Sequence, residues 1–216
     1  MRKKCCFVVL IATVLSVVGC ASERHYANTK EGTLEGELIV KWYKPNHFIF
    51  IPSETDPLTF TRANGDIIRP GPMYTDGGSI PRVFWSIPGY SPWGYAPAYI
   101  IHDWIFSVHQ CNQPSLDYTN PDQQTTYDVF DAAQAMSEVL KTMREQDPNV
   151  EITKLVLFTI DRAVRTSRAQ AAWNGECEDT DLKRLFLDDY DAFIEKYEDQ
   201  EVLEFVISWP EQAPDG

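Results

Sequence analysis

An α+β fold, a small antiparallel β region followed by a bundle of about four helices, is what the amino-acid sequence predicts. Three observations carry this. Short runs rich in β-branched and aromatic residues fill the stretch from Gly36 to Pro70. From Pro97 onward, apolar residues recur with helical period. The two kinds of segment do not alternate along the chain, so a parallel sheet built from βαβ units is not expected.

The N-terminal stretch stands outside that fold. "MRKKCCFVVLIATVLSVVGC" begins with Arg2, Lys3 and Lys4, continues apolar and ends in Gly19-Cys20. That is the basic–apolar–small order of a signal peptide, and the apolar part is too short to read as a spanning helix. A small residue directly before a cysteine resembles the bacterial lipobox. The resemblance implies cleavage before Cys20 and acylation of Cys20 with palmitate-type chains. With Ala21 rather than Asp after it, it also implies sorting to the outer membrane, facing the periplasm. A plain signal peptide or a buried apolar helix is the alternative. The expected organisation is a signal peptide over 1–19, a lipidated tether over 20–35 and one globular domain over 36–216.

Within the domain, "GELIVKWY" and "HFIFIPS" read as strands. "LTFTRANGDIIRP" reads as a hairpin, because Asn64-Gly65 tolerates the positive φ of a tight turn. A loop follows, "GPMYTDGGSIPRVFW", in which Ser79 can cap a short helix with Pro81 in its first turn. "PAYIIHDWIFSVHQ" is a helix apolar around most of its surface and therefore central. "TTYDVFDAAQAMSEVLKTMREQ" carries Val129, Ala133, Met136 and Leu140 on one stripe. "EITKLVLFTIDRAVRTSRAQAAW" reads as a third helix, and "DTDLKRLFLDDYDAFIEKY" as an acidic amphipathic fourth.

The chain holds 32 Asp and Glu against 19 Lys and Arg, a formal net charge of −13. An acidic surface excludes nucleic acid as an expected partner and disfavours general adhesion to anionic lipid. Cys5 and Cys6 leave with the signal peptide and Cys20 takes the lipid. Cys111 and Cys177 remain, and in an oxidising compartment one disulfide is expected. Loop closure on that scale contributes on the order of 4 kcal/mol. Two buried thiols are the alternative.

The candidate site is His102-Asp103, set in an otherwise apolar helix. Adjacent helical side chains project about 100° apart, which suits two linked tasks. A neutral histidine can take a proton from water, and a carboxylate beside it can hold a cation. A core histidine next to a capping or salt-bridging aspartate is the plainer alternative. The loop "YTDGGSIPR" adds Asp76, whose carboxylate and neighbouring carbonyls are the hard oxygens calcium prefers. His109 lies about 10 Å of helix rise from His102, too far to share one zinc ion.

"TDGGSIPR" and "GYAPAYIIHDWIF" together resemble domain-of-unknown-function family 1353, over roughly Phe48 to Trp173. That family implies no activity. A more distant motif similarity is to bacterial and fungal secreted phospholipase A2 enzymes, which carry an Asp-Gly-Cys-Ser loop and a Cys-x-x-His-Asp-x-x-Tyr helix. Asp76-Gly77-Gly78-Ser79 falls on the first and Tyr99 to Phe106 on the second. The similarity implies His102 as general base and calcium held by Asp76, the Gly77 carbonyl and Asp103. It implies an orienting carboxylate for His102 at Asp128 or Asp131, and a phospholipid substrate at the membrane. Gly78 and Tyr99 stand where those enzymes have a cysteine pair, and Phe106 where they have tyrosine. The competing expectation is a non-enzymatic envelope lipoprotein, in which the His-Asp pair and the Asp-Gly-Gly-Ser loop form a structural clasp.

Overall fold

The computed structural model describes residues 18–43, 47–75, 95–111, 127–147, 149–177 and 201–209. Its organising strand is β1 (Thr33–Tyr43), in which Leu34, Leu38 and Val40 are fully buried while Thr33 and Glu35 are exposed. That alternation is the pleat of a strand with one face on a core. β2 (His47–Pro52) pairs antiparallel with Leu38–Tyr43 of β1. β3 (Thr59–Thr61) pairs antiparallel with Thr33–Glu35, and β4 (Ile67–Ile68) adds to β3. Between β3 and β4 lies the Asn64-Gly65 turn, with Gly65 at φ 92°, a conformation open to glycine at no steric cost. β5 (Met73–Thr75), inside a stretch expected to be all loop, pairs with β2.

The last strand is not foreseen by the sequence pattern. β6 (Glu201–Trp209) returns from the C-terminal part and pairs antiparallel with Gly36–Tyr43 of β1. Residues 38–43 therefore carry β2 on one edge and β6 on the other. "EVLEFVISW" has the alternation of a strand, but its acidic surroundings mask it. The expected fourth helix, over 179–197, and the short helix capped by Ser79 lie outside the described residues.

Five helices occur among the described residues. α1 covers residues 18–28, where a polar tether was expected. It is held to the domain at several points. Lys154 donates to Glu23 at 2.6 Å, Tyr26 donates to Glu145, and Lys141 donates to the Thr29 carbonyl at 3.0 Å. α2 (Ala96–Gln110) and α3 (Val129–Gln146) pack on each other, α3 also against α4 (Lys154–Ala163), and α2 against α5 (Ser167–Trp173). The single third helix expected over 151–173 is thus two. Val164 ends α4, and the Thr166 hydroxyl restarts the chain by accepting from the Ala169 amide. A threonine in a helix interior competes for backbone hydrogen bonds in this way.

One core joins both halves. Leu34, Leu38, Phe50 and Phe60 from the sheet meet Ile100, Ile101, Trp104 and Ile105 from α2 and Met136, Val139 and Leu140 from α3. Cys111, at the end of α2, is disulfide-bonded to Cys177 just beyond α5, with Cα atoms 4.6 Å apart. No helix of the described residues is long and apolar enough to cross a membrane.

Candidate functional site

α2 begins after Tyr95 with Pro97 in its first turn, where a missing N–H costs nothing. Ala98, Ile100, Ile101 and Ile105 are fully buried and Trp104 nearly so. A narrower, half-open stripe remains at His102, Asp103, Phe106 and His109. His102 is 12 % exposed and Asp103 27 %. The His102 Nδ1 lies 3.4 Å from Asp103 Oδ1, so the neighbours do meet, at the long limit of a hydrogen bond. The other ring nitrogen, Nε2, is buried and has no hydrogen-bond partner among the described residues.

Aromatic contacts fix the ring of His102 along this stripe. It packs on Phe106 at 4.6 Å between centroids. Phe106 meets Trp173 of α5 edge-on at 4.9 Å, and His109 stacks on the same indole at 3.8 Å. Burial lowers the His109 pKa below its ordinary value. Gln110 donates to the Ala172 carbonyl at 2.6 Å. With the disulfide one residue on, this pins the site-bearing helix to α5. On the opposite side, Gly71 lies so close to Trp104 that a Cβ there would meet the indole at 2.8 Å. Only glycine lets the chain entering β5 pass at that distance.

The described residues hold part of the sequence-predicted site. Among them, neither Asp128 nor Asp131 hydrogen-bonds to His102. Asp128 is the N-cap of α3, accepting from the Phe130 and Asp131 amides at 2.7 and 2.8 Å, and Asp131 accepts from the Asp128 amide at 2.9 Å. Their three-residue spacing is that of a reciprocal capping box. The same spacing that put both on one face spends both at the helix start. Asp76 and Gly77 lie outside the described residues. Of the three expected calcium ligands, Asp103 alone is described. No cluster of three His, Cys, Asp or Glu side chains suited to a metal ion occurs among the described residues. Cys20 is an exposed free thiol on α1.

Sequence reasoning passed over a second polar group that is far better connected. Arg62, at the end of the β3 strand, donates from Nε to Glu138 Oε2 at 2.7 Å and from Nη2 to Glu138 Oε1 at 3.1 Å. Asp66, with no exposed surface, accepts from the Tyr127 hydroxyl at 2.8 Å and from the Asn64 amide at 2.8 Å. Burial opposes the Arg62 charge, but the hydrogen bonds to Glu138, together with Tyr127 and the Glu138 charge, outweigh it and hold its pKa above the usual arginine value. Burial likewise pushes the Tyr127 phenol up, keeping it a donor. From Glu138 the chain of polar contacts continues through Gln134 to Arg165, and Arg165 donates to Asp161 at 2.7 Å. The one available signal was Glu138 amid the buried Ala135, Met136 and Val139, a charge where the helix has no open face.

Residues 55–150 match the model of a family described as "Protein of unknown function (DUF1353)". The matched segment holds both Arg62 with Glu138 and the His102 helix. No curated protein and no solved structure matches the chain.

Proposed function

From a DUF1353 match that brings no assigned chemistry, we propose that this protein is a lipoprotein of the cell envelope, held in the outer membrane by acylated Cys20 and facing the periplasm. Its His102–Asp103 pair and Asp-Gly-Gly-Ser segment act as a structural clasp rather than a catalytic centre. The observation that carries the reading is the Cys111–Cys177 disulfide, a bond at home outside the cytoplasm. It stands in a chain whose leader ends in Gly19-Cys20. The clasp is favoured over catalysis because both candidate orienting carboxylates serve as helix caps. Metabolic labelling with a palmitate analogue tests the anchor: Cys20→Ser should abolish label, and labelled Cys20→Ser protein would refute it.

One observation favours a second reading, a calcium-dependent phospholipid-ester hydrolase. The buried Nε2 of His102 has no partner among the described residues, and a general base needs a nitrogen not already engaged. Calorimetric calcium titration and a lipid-ester hydrolysis assay separate the two. The clasp reading expects neither binding nor turnover. Turnover that disappears in His102→Ala would replace it with the hydrolase.

A further inference from the structure

Between α1 and α4 lies an open hollow of about 430 Å³, lined by Cys20, Arg24, His25 and Asn28 on one side and Phe158 and Arg162 on the other. In a chain with a net charge of −13, its polar lining is basic. Most described cations on this face are matched: Lys154 by Glu23, Lys141 by Glu31 and Arg165 by Asp161. Arg24 and Arg162 have no carboxylate partner among the described residues. Instead Phe158 holds the Arg162 guanidinium 5.1 Å above its ring, and the same ring meets His25 edge-on at 5.7 Å. An arginine fixed over an aromatic face keeps its N–H fork available for an oxyanion. Cys20, Arg24 and Asn28 follow at helical spacing along one side of α1, so the acylation site forms the rim of the same hollow.

We propose that this hollow binds the phosphate of a phospholipid headgroup, with Arg24 and Arg162 as the anion clamp and Asn28 as a further donor. The anchor supplies the reason for a lipid rather than a soluble phosphate. Acyl chains on Cys20 enter the bilayer directly at the rim, which places the two guanidinium groups in the headgroup layer. The acidic net charge disfavours adhesion of the whole surface, but that repulsion is screened beyond about 8 Å at physiological ionic strength, whereas the clamp acts in contact. The protein would then sit on the membrane in one orientation, with α1 and α4 against it. This inference rests on the anchor reading of Cys20.

Native mass spectrometry of the protein, made from its full reading frame and released from non-ionic detergent, tests both points in one spectrum. The mass of the chain shows whether Cys20 is acylated. Phosphatidylglycerol, diacylglycerol and inorganic phosphate are added in parallel. The expected result is one phosphatidylglycerol adduct, no diacylglycerol adduct and weak phosphate binding. Arg24→Gln with Arg162→Gln should weaken lipid binding by about tenfold or more, while Arg168→Gln on α5 should not. Both clamp residues are exposed, and circular dichroism confirms that the variant folds. An adduct undiminished in the double variant, or no adduct at all, overturns the site. Phosphate retained as well as the lipid overturns the lipid assignment. An unacylated chain that still binds lipid refutes the anchor while supporting the site.

Discussion

The Arg62 group is a polar patch buried in the core and the His102 stripe a half-open one beside it, and they are built in opposite ways. Arg62 and Glu138 satisfy each other through two hydrogen bonds, and Tyr127 and Asn64 close around Asp66. His102 has one long contact to Asp103, while aromatic rings hold its body and Nε2 has no partner among the described residues. Buried charge survives only when paired and hydrogen-bonded. Connection marks the first patch as architecture, joining the hairpin to α3. The second is held by one long polar contact and by ring packing, so it fastens its surroundings more weakly.

The largest effect should come from breaking the connected patch. Glu138→Leu takes both carboxylate hydrogen bonds from buried Arg62, leaving it the 3.7 Å ion pair with Asp66, and should cost about 3–5 kcal/mol of stability in urea unfolding. Arg62→Met with Asp66→Asn added to it should recover much of the loss, since no unpaired cation or carboxylate is then left in the core. A triple variant no more stable than Glu138→Leu would mean that the group is not a unit, and the contrast would fail.

The second patch is fastened covalently instead. Cys111→Ser with Cys177→Ser should lower stability by about 2–4 kcal/mol, as should a reductant acting on the wild type. A loss confined to the α2–α5 contact, read as faster hydrogen exchange in those helices alone, would sharpen the picture of a separately held site helix.

A smaller effect is expected at the site itself. His102→Leu should change stability by about 1 kcal/mol or less, because no described hydrogen bond to Nε2 is lost. A loss of several kcal/mol would make the His102 clasp as strong a fastening as the Arg62–Glu138 pair and end the contrast.

The smallest effect is with pH. Burial lowers the His25 pKa, with Arg162 and Arg165 assisting and Asp161 opposing, and burial alone lowers that of His109. Below the unfolded value of 6.5 the unfolded chain therefore binds more protons than the folded one. Stability should be fully present above that value and fall as the pH drops through the folded pKa values. Urea midpoints between about pH 7.5 and 5 check this, and His25→Asn with His109→Asn should flatten the profile.

Much of this was open to a reader of the chain, and the omissions have a pattern. Alternation in "GELIVKWY", the Asn64-Gly65 turn and the stripe through Met136 are local signals, and each became the expected element. α1 was missed because it lacks an apolar face long enough to announce itself; ion pairs and Tyr26 hold it down. Asp128 or Asp131 was expected to orient His102, but their spacing also spells a helix start, a local rule that was available. The aromatic stripe of Phe106, His109 and Trp173 could not be read, because Trp173 reaches it only after α5 folds back.

By itself, then, the sequence determined the α+β class, the order of strands before helices, and a His-Asp pair on a central helix. These depend on periodicities and turn residues that act within a few neighbours. Tertiary structure alone decided that β6 returns to the edge of β1, that Arg62 finds Glu138, and that Arg24 and Arg162 share a hollow. Each joins residues from distant segments, and the free energy of burying a charge is fixed by the partner that arrives, not by the residues beside it.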